Sequence, residues 1–246
     1  MISLCIDIGN SQTKIAIFHD LEITEFRILE NNAYGQIDDL LLVKKVEAAI
    51  LSSVSVVPES LVTLLKTRLA RFWILDHTMP IPIENLYETK ETLGKDRLAA
   101  VIGANSLYPK DNVLVIDAGT AITYDIISKY GQYLGGNIAP GIRMRFDALH
   151  HFTSRLPQLE VKENFPMYGK NTTEAITSGV QQGILMEVDG TIDLFRQSFP
   201  DMVVLFTGGD AKFFENRLKS AIFVVSNLVM IGLNRVLVYN VKKGKE

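Results

Sequence analysis

A chain of 246 residues, 47% hydrophobic and 22% charged, has enough apolar matter for a sizeable core and excludes a disordered, collagen-like or coiled-coil architecture. The net charge of -3, with no dense basic block except the closing VKKGKE, leaves no nucleic-acid footprint. A lone cysteine, Cys5, rules out a disulfide framework or thiolate metal site within one chain and reads as a small buried hydrophobe.

In chain order, the opening MISLCIDIGN has no basic n-region, and its apolar run stops at Asp7, too short for a signal peptide or a spanning helix. The late run LVMIGLNRVLVY is also short and contains Arg235, so the cytoplasm is the expected address. Residues 2–8 and 13–19 read as the two strands of a hairpin around a polar turn. Helical apolar spacing follows in DDLLLVKKVEAAI and in PESLVTLLKTRLAR, the second begun by Pro58; AILSSV and FWIL are short β-leaning runs beside them. YLGGNIAPGIRMRFDAL predicts a glycine and proline loop running into a helix. KNTTEAITSGVQQGILMEVDGTIDLF predicts a long helix, with Asn171 or Thr172 as N-cap and Glu174 placed for a capping box. MVVLFTGGDAKFF reads as strand, glycine turn and helix, and AIFVVSNLVMIGLNRVL as a further strand and helix. Strands alternating with helices predict an α/β fold with helices packed on mixed sheet.

Laying IDIGNSQTKIAI at 6–17 over IDAGTAITYDII at 116–127 aligns two copies of strand, Ile-Asp-x-Gly, small polar residue and second strand, with Thr13 on Thr123. The repeat predicts an internal duplication: lobes 1–110 and 111–246, related to each other and flanking a central cleft.

The chemistry expected at such a corner is specific. An Asp at a strand end followed by Gly lets backbone approach a phosphate closely, with N–H groups and the side chains of Asn10 and Ser11 donating to its oxygens. Asp7 is then available to hold Mg²⁺, directly or through water, and Lys14 to neutralise charge on a transferring phosphoryl group. The G-x-x-x-x-G-K-[ST] loop is absent, and no G-x-G-x-x-G follows a predicted strand. Asp-x-Gly-Asn alone is a weak signal; its repetition as DAGT suggests two hairpins gripping one triphosphate. His19, His77, His150 and His151 show no ligand spacing, and the Met and Phe positions read as core packing.

DIGNSQTK, GKDR at 94–97, DAGTAITYD, GGNIAPG, GKNTTEAITSG and TGGD stand in an order that resembles the actin-like ATPase superfamily, and within it the type III pantothenate kinases. The resemblance implies an actin-like (ribonuclease H-like) fold and ATP-dependent phosphorylation of pantothenate, the first step toward coenzyme A. It implies Asp96 as general base and Tyr87, Gly94, Lys95, Asp96, Arg97 and Thr172 as pantothenate contacts, the Arg97 fork facing the substrate carboxylate. It assigns ATP to Asp7, Gly9, Asn10, Ser11, Lys14 and Thr120, with TGGDA at 207–211 giving backbone room near the adenosine. It implies a monovalent cation, K⁺ or NH₄⁺, at Asp117 beside the Mg²⁺ expected at Asp7, together with a homodimer that binds pantothenate at its interface; the charge balance and the short apolar runs leave no nucleic-acid or membrane partner expected. Ser11 stands where the family often has threonine, which keeps the hydroxyl. Another actin-like phosphotransferase such as a sugar kinase, and a nucleotide-gated regulator, are the alternatives. A sugar substrate would need acceptors for several hydroxyls, where pantothenate needs a partner for one carboxylate.

Overall fold

Alternation in ISLCIDI decides the first element. In the computed structural model, which describes residues 1–9, 12–30, 34–54 and 56–244, strand β1 (Ile2–Ile8) sends Leu4, Ile6 and Ile8 into a core that also holds Ile15, Ile17, Leu40, Leu61 and Leu65. Ser3, Cys5 and Asp7 take the other face. Burial pushes the Cys5 thiol pKa up, as expected of a packed, inert cysteine.

β2 (Gln12–His19) closes the expected hairpin antiparallel to β1, and β3 (Glu22–Glu30) adds a further strand beside it. Helix α1 (Gly35–Lys44) is shorter than the apolar spacing predicts, because Lys45 turns left-handed at φ 51° and ends it. The residues after it enter β4 (Ala48–Ser53), all six of them buried; a run buried on both faces carries no period to tell strand from helix. α2 (Glu59–Arg68) starts after Pro58 as expected, and β5 (Phe72–Ile74) completes a sheet of order β3-β2-β1-β4-β5, with β4 and β5 parallel to β1. A two-residue strand β6 (Glu84–Asn85) precedes α3 (Lys95–Leu107), whose residues 97–104 are all buried.

A second sheet starts with the hairpin β7 (Val113–Ala118) and β8 (Ala121–Ile127). It continues through β9 (Gln132–Pro140), where the sequence predicts a loop: Gly136 lies so close to β8 that a Cβ there would strike the Tyr124 carbonyl oxygen. Then come α4 (Ile142–His151), the 27-residue α5 (Thr172–Ser198), β10 (Val203–Thr207), α6 (Ala211–Phe214) and β11 (Phe223–Val224). β10 runs parallel to β7, and β11 to β10. Five of this sheet's six strands, in the order β9-β8-β7-β10-β11, repeat the order of the first sheet, and β6 adds a sixth strand parallel to β9.

Helix α7 (Leu228–Lys243) ends the described chain. Two compact units result: residues 1–109 with 131–133 and 227–246, and residues 110–130 with 134–226. The sequence reading cuts the chain once, at 110/111, whereas α7 packs within the first unit. Ser3 Oγ donates to Asn234 Oδ1 of α7 at 2.8 Å, so α7 covers the β1 face that carries Cys5 and Asp7. α7 crosses α3 at closest approach through Gly103 and Gly232; a Cβ on Gly232 would run into the Ala99 carbonyl oxygen, and one on Gly103 into that of Leu228.

Candidate active site

Strand register builds the first corner. Asp7, the penultimate residue of β1, faces Lys14 across the hairpin and Ser52 on the parallel neighbour β4, so the three side chains project from one face. Asp7 is 8% exposed, and its Oδ1 has no hydrogen-bond partner among the described residues. Burial first, then the negative charge of Asp96, pushes its carboxyl up to about 6 against the opposing pull of Lys14. Ser52 also pulls it down, although the Ser52 Oγ is not aligned for a hydrogen bond. Past the strand end, Gly9 N–H donates to the Gln12 carbonyl at 3.0 Å, and a Cβ on Gly9 would stand 3.2 Å from that oxygen. Asn10 and Ser11 lie outside the described residues.

Asp96 comes from the start of α3. Gly94 is the N-cap and has no side chain to cap with. In its place the Asp96 carboxylate folds back: Oδ1 accepts from the Arg97 N–H at 2.8 Å and stands 2.6 Å from where a Gly94 Cβ would be. The helix N-terminus favours the anion held there. Arg97, 6% exposed, carries its guanidinium carbon 5.6 Å from the centroid of the Tyr87 ring, within cation–π range. Lys95 is half-buried beside them. The first unit thus gathers Asp7, Lys14 and Asp96 into one electrostatic group and Arg97 with Tyr87 into a second, joined through the neighbouring residues 96 and 97.

A buried carboxylate oxygen without a partner and a second carboxylate near enough to repel it form a hard-oxygen donor set, with a lysine beside them to face phosphate charge. No group of three or more Asp, Glu, His or Cys side chains placed to hold a metal occurs among the described residues. One or two carboxylates are what Mg²⁺ takes from a protein when phosphate oxygens and water complete its shell, so the residues present fit that ion.

The second unit carries the other expected residues. Asp117 faces Thr123 across the β7–β8 hairpin and Thr207 on β10. The TGGD turn folds onto this corner: Gly208, at φ 97°, passes so close that a Cβ would strike the Ala118 carbonyl oxygen, and the Asp210 N–H donates to that oxygen at 2.9 Å. Burial pushes the Asp210 carboxyl up, and Arg143 draws it down. Thr120 is exposed at the turn, its carbonyl accepting from the Gly141 N–H at 3.0 Å. Asn171 proves to be the cap of α5, its Oδ1 accepting from the Glu174 N–H at 2.9 Å, while Glu174 Oε2 accepts from the Lys170 N–H at 2.8 Å. Thr172 is therefore not needed as a cap. It lies exposed at the helix start and lines a 770 Å³ groove with Arg145, Leu149 and Phe152. The four histidines, which show no ligand spacing in the sequence, are exposed.

Three residues escape the sequence reading. Ser52 closes a β-leaning run with nothing to mark it as the register partner of Asp7, and Arg143 sits in what reads as the entry to a helix. Tyr133, fully buried and stacked on Tyr87, belongs to a stretch whose glycines suggest a loop.

Two sheets of one strand order, an acid at the strand end of each hairpin and an acid at a helix start define a protein of the actin-like ATPase fold. Component A of the (R)-2-hydroxyglutaryl-CoA dehydratase of Acidaminococcus fermentans has the same fold, with TM-score 0.54 and 16% identity over the whole of both chains. The chain belongs to the type III pantothenate kinase family, whose pattern matches residues 3–194. A type III pantothenate kinase of Phocaeicola vulgatus is 44% identical over 241 residues, covering 98% of this chain and 100% of that one. A solved structure from Campylobacter jejuni, described as a conserved Baf-family transcriptional activator, matches with TM-score 0.61 and 28% identity over 97% of this chain and 99% of its own. Among the described residues no helix is long and apolar enough to cross a membrane.

Proposed function

We propose that the protein transfers the γ-phosphoryl group of ATP to the primary hydroxyl of pantothenate, giving 4′-phosphopantothenate and ADP in the cytoplasm. The observation that carries this reading is the buried Asp7 Oδ1 without a partner, next to Asp96 at the start of α3. Asp96 accepts the hydroxyl proton as that oxygen forms its bond to the γ-phosphorus and the bond from phosphorus to the β–γ bridging oxygen breaks. Lys14 offsets the charge that spreads over the phosphoryl oxygens, and the Gly9 turn leaves room for them. Mg²⁺, when bound, neutralises phosphate charge; Asp7 is the residue to hold it. Arg97 and Tyr87 receive the pantothenate carboxylate end, with Gly94 and Lys95 alongside. Thr120, with Asn10 and Ser11, is assigned to ATP, and Asp117 to a monovalent cation.

The remaining assignment, Thr172 to pantothenate in a homodimer, is supported by the apolar side chains left exposed around it: Phe152 at 81%, Met167 at 83% and Tyr168 at 68%. Light scattering on wild type and Phe152→Glu checks it. A dimer that the substitution splits, with KM for pantothenate raised, is expected; a wild-type monomer with full activity removes the assignment. For the reaction itself, the purified protein is assayed by ADP release with ATP, Mg²⁺, K⁺ and pantothenate. Turnover that Asp96→Ala abolishes is expected, and wild-type turnover no greater than that of Asp96→Ala refutes the reading.

A further inference from the structure

Tyr87 stands on a thin support. The strand before it has two residues, and the chain from 86 to 89 has no regular structure. What pins this segment is the short stretch 131–133. Gly131, at φ 73°, turns the chain so that its carbonyl accepts from the Glu84 N–H at 2.9 Å. The Leu86 N–H donates to the Tyr133 carbonyl at 3.0 Å, and Gln132 Nε2 donates to Glu84 Oε2 at 2.8 Å. The Tyr133 ring, fully buried, then lies parallel to the Tyr87 ring, with centroids 5.9 Å apart and planes within 5°. Tyr87 in turn is the ring within 5.6 Å of the Arg97 guanidinium carbon.

We infer that Tyr133 is a positioning residue: its ring fixes the plane of Tyr87, and through it the Arg97 guanidinium, in the orientation that receives a substrate carboxylate. This rests on the reading of pantothenate as substrate. An aromatic ring has only two side-chain torsions, so a buried parallel partner removes most of its remaining freedom, and a guanidinium stacked near it is held with it. Tyr133 touches Tyr87 with its ring and Leu86 with its carbonyl. A side-chain substitution therefore leaves the backbone bridge in place and removes the stack, and Tyr133→Phe separates the ring from whatever the buried hydroxyl holds.

The test is steady-state kinetics on Tyr133→Leu and Tyr133→Phe, with Tyr87→Leu and the double variant Tyr87→Leu/Tyr133→Leu completing a cycle. Tyr133→Leu is expected to raise KM for pantothenate about threefold to tenfold, the scale of one aromatic pair, with KM for ATP unchanged and kcat within about twofold. Tyr133→Phe is expected to keep the wild-type KM. In the Tyr87→Leu background, Tyr133→Leu is expected to add nothing, because its effect passes through Tyr87. Should Tyr133→Leu not fold, Tyr133→Met, which fills the space without a ring, is read in its place. An unchanged KM for pantothenate, equal rises in both KM values, a Phe variant as impaired as Leu, or additive effects in the cycle each overturn the inference. If the wild type does not phosphorylate pantothenate, the underlying reading fails as well; if it does and Tyr133→Leu binds pantothenate normally, the inference alone fails.

Discussion

The two hairpin corners share Ile-Asp-x-Gly, yet they place different partners opposite the acid. In the first, Ile8 pairs with Thr13 and Asp7 with Lys14; in the second, Ala118 pairs with Ile122 and Asp117 with Thr123. The second turn is one residue tighter. A single residue of turn length therefore sets a cation against one aspartate and a neutral hydroxyl against the other. Aligned by sequence, Lys14 falls on Tyr124, which pairs instead with Ile116 and whose hydroxyl donates to Glu187 Oε1 at 3.1 Å. The lysine that can face a polyphosphate thus belongs to the first corner, whereas the second sets a carboxylate opposite hydroxyls, the set we propose for a monovalent cation.

The comparison breaks first at its acids. Asp96→Asn is expected to lower kcat by about 10²- to 10⁴-fold, the usual scale of a lost general base. Lys14→Met should cost about 10²- to 10³-fold through lost charge stabilisation. Thr123→Met, its register counterpart at the second corner, should leave the phosphoryl-transfer step far less affected. Equal losses in single-turnover rate for Lys14→Met and Thr123→Met would mean that turn length does not divide the labour.

Stability sharpens the same contrast. Folding raises the Asp7 carboxyl from 3.8 to about 6, so the folded protein holds a proton that the unfolded chain releases. The stability this group contributes is full below about pH 4 and is lost as pH rises through about 6, for a total of up to about 3 kcal/mol. Asp7→Asn removes the titrating group. The ligand-free variant is therefore expected to be more stable than wild type at neutral pH, with the gap closing on acidification, while MgATP binding is lost. Urea unfolding of both proteins from about pH 4.5 to 7.5 checks it; a gap independent of pH would remove Asp7 as its source.

How far these differences were legible depends on what sets them. The hairpin 2–8/13–19 and its repeat at 116–127 could be read, because alternation and Ile-Asp-x-Gly are local signals; the shared strand order could not, since β9 reads as a loop. The join of α1 to β4 could not, since a run buried on both faces has no period. Nor could the return of α7 to the first unit, which rests on Gly103 and Gly232 meeting across more than a hundred residues, or the pairing of Asp7 with Ser52, which follows from a parallel crossover. For the site, Asp96 could be named as a candidate from its motif, whereas its coupling to Asp7 could not: helix packing produces it. Gly232→Ala is accordingly expected to destabilise the protein by about 1–3 kcal/mol and to lower activity, because α3 carries Asp96 and must shift to admit the methyl. Normal stability and kcat would show that the α3–α7 crossing tolerates displacement without moving the acid.

The smallest expected effect lies at the second corner. The Thr123 Oγ1 is buried with no hydrogen-bond partner among the described residues, directly across from Asp117. Thr123→Val keeps the shape and deletes the hydroxyl, so in the absence of a ligand it should leave stability unchanged or raise it by about 1 kcal/mol. A ligand bound at this corner would give that hydroxyl the partner it lacks. If that ligand is the proposed monovalent cation, Thr123→Val raises the K⁺ concentration needed for half-maximal activity without changing KM for pantothenate. A variant that loses stability, or that keeps the wild-type K⁺ requirement, would show that Thr123 is a packing residue and that the second corner differs from the first only in lacking a lysine.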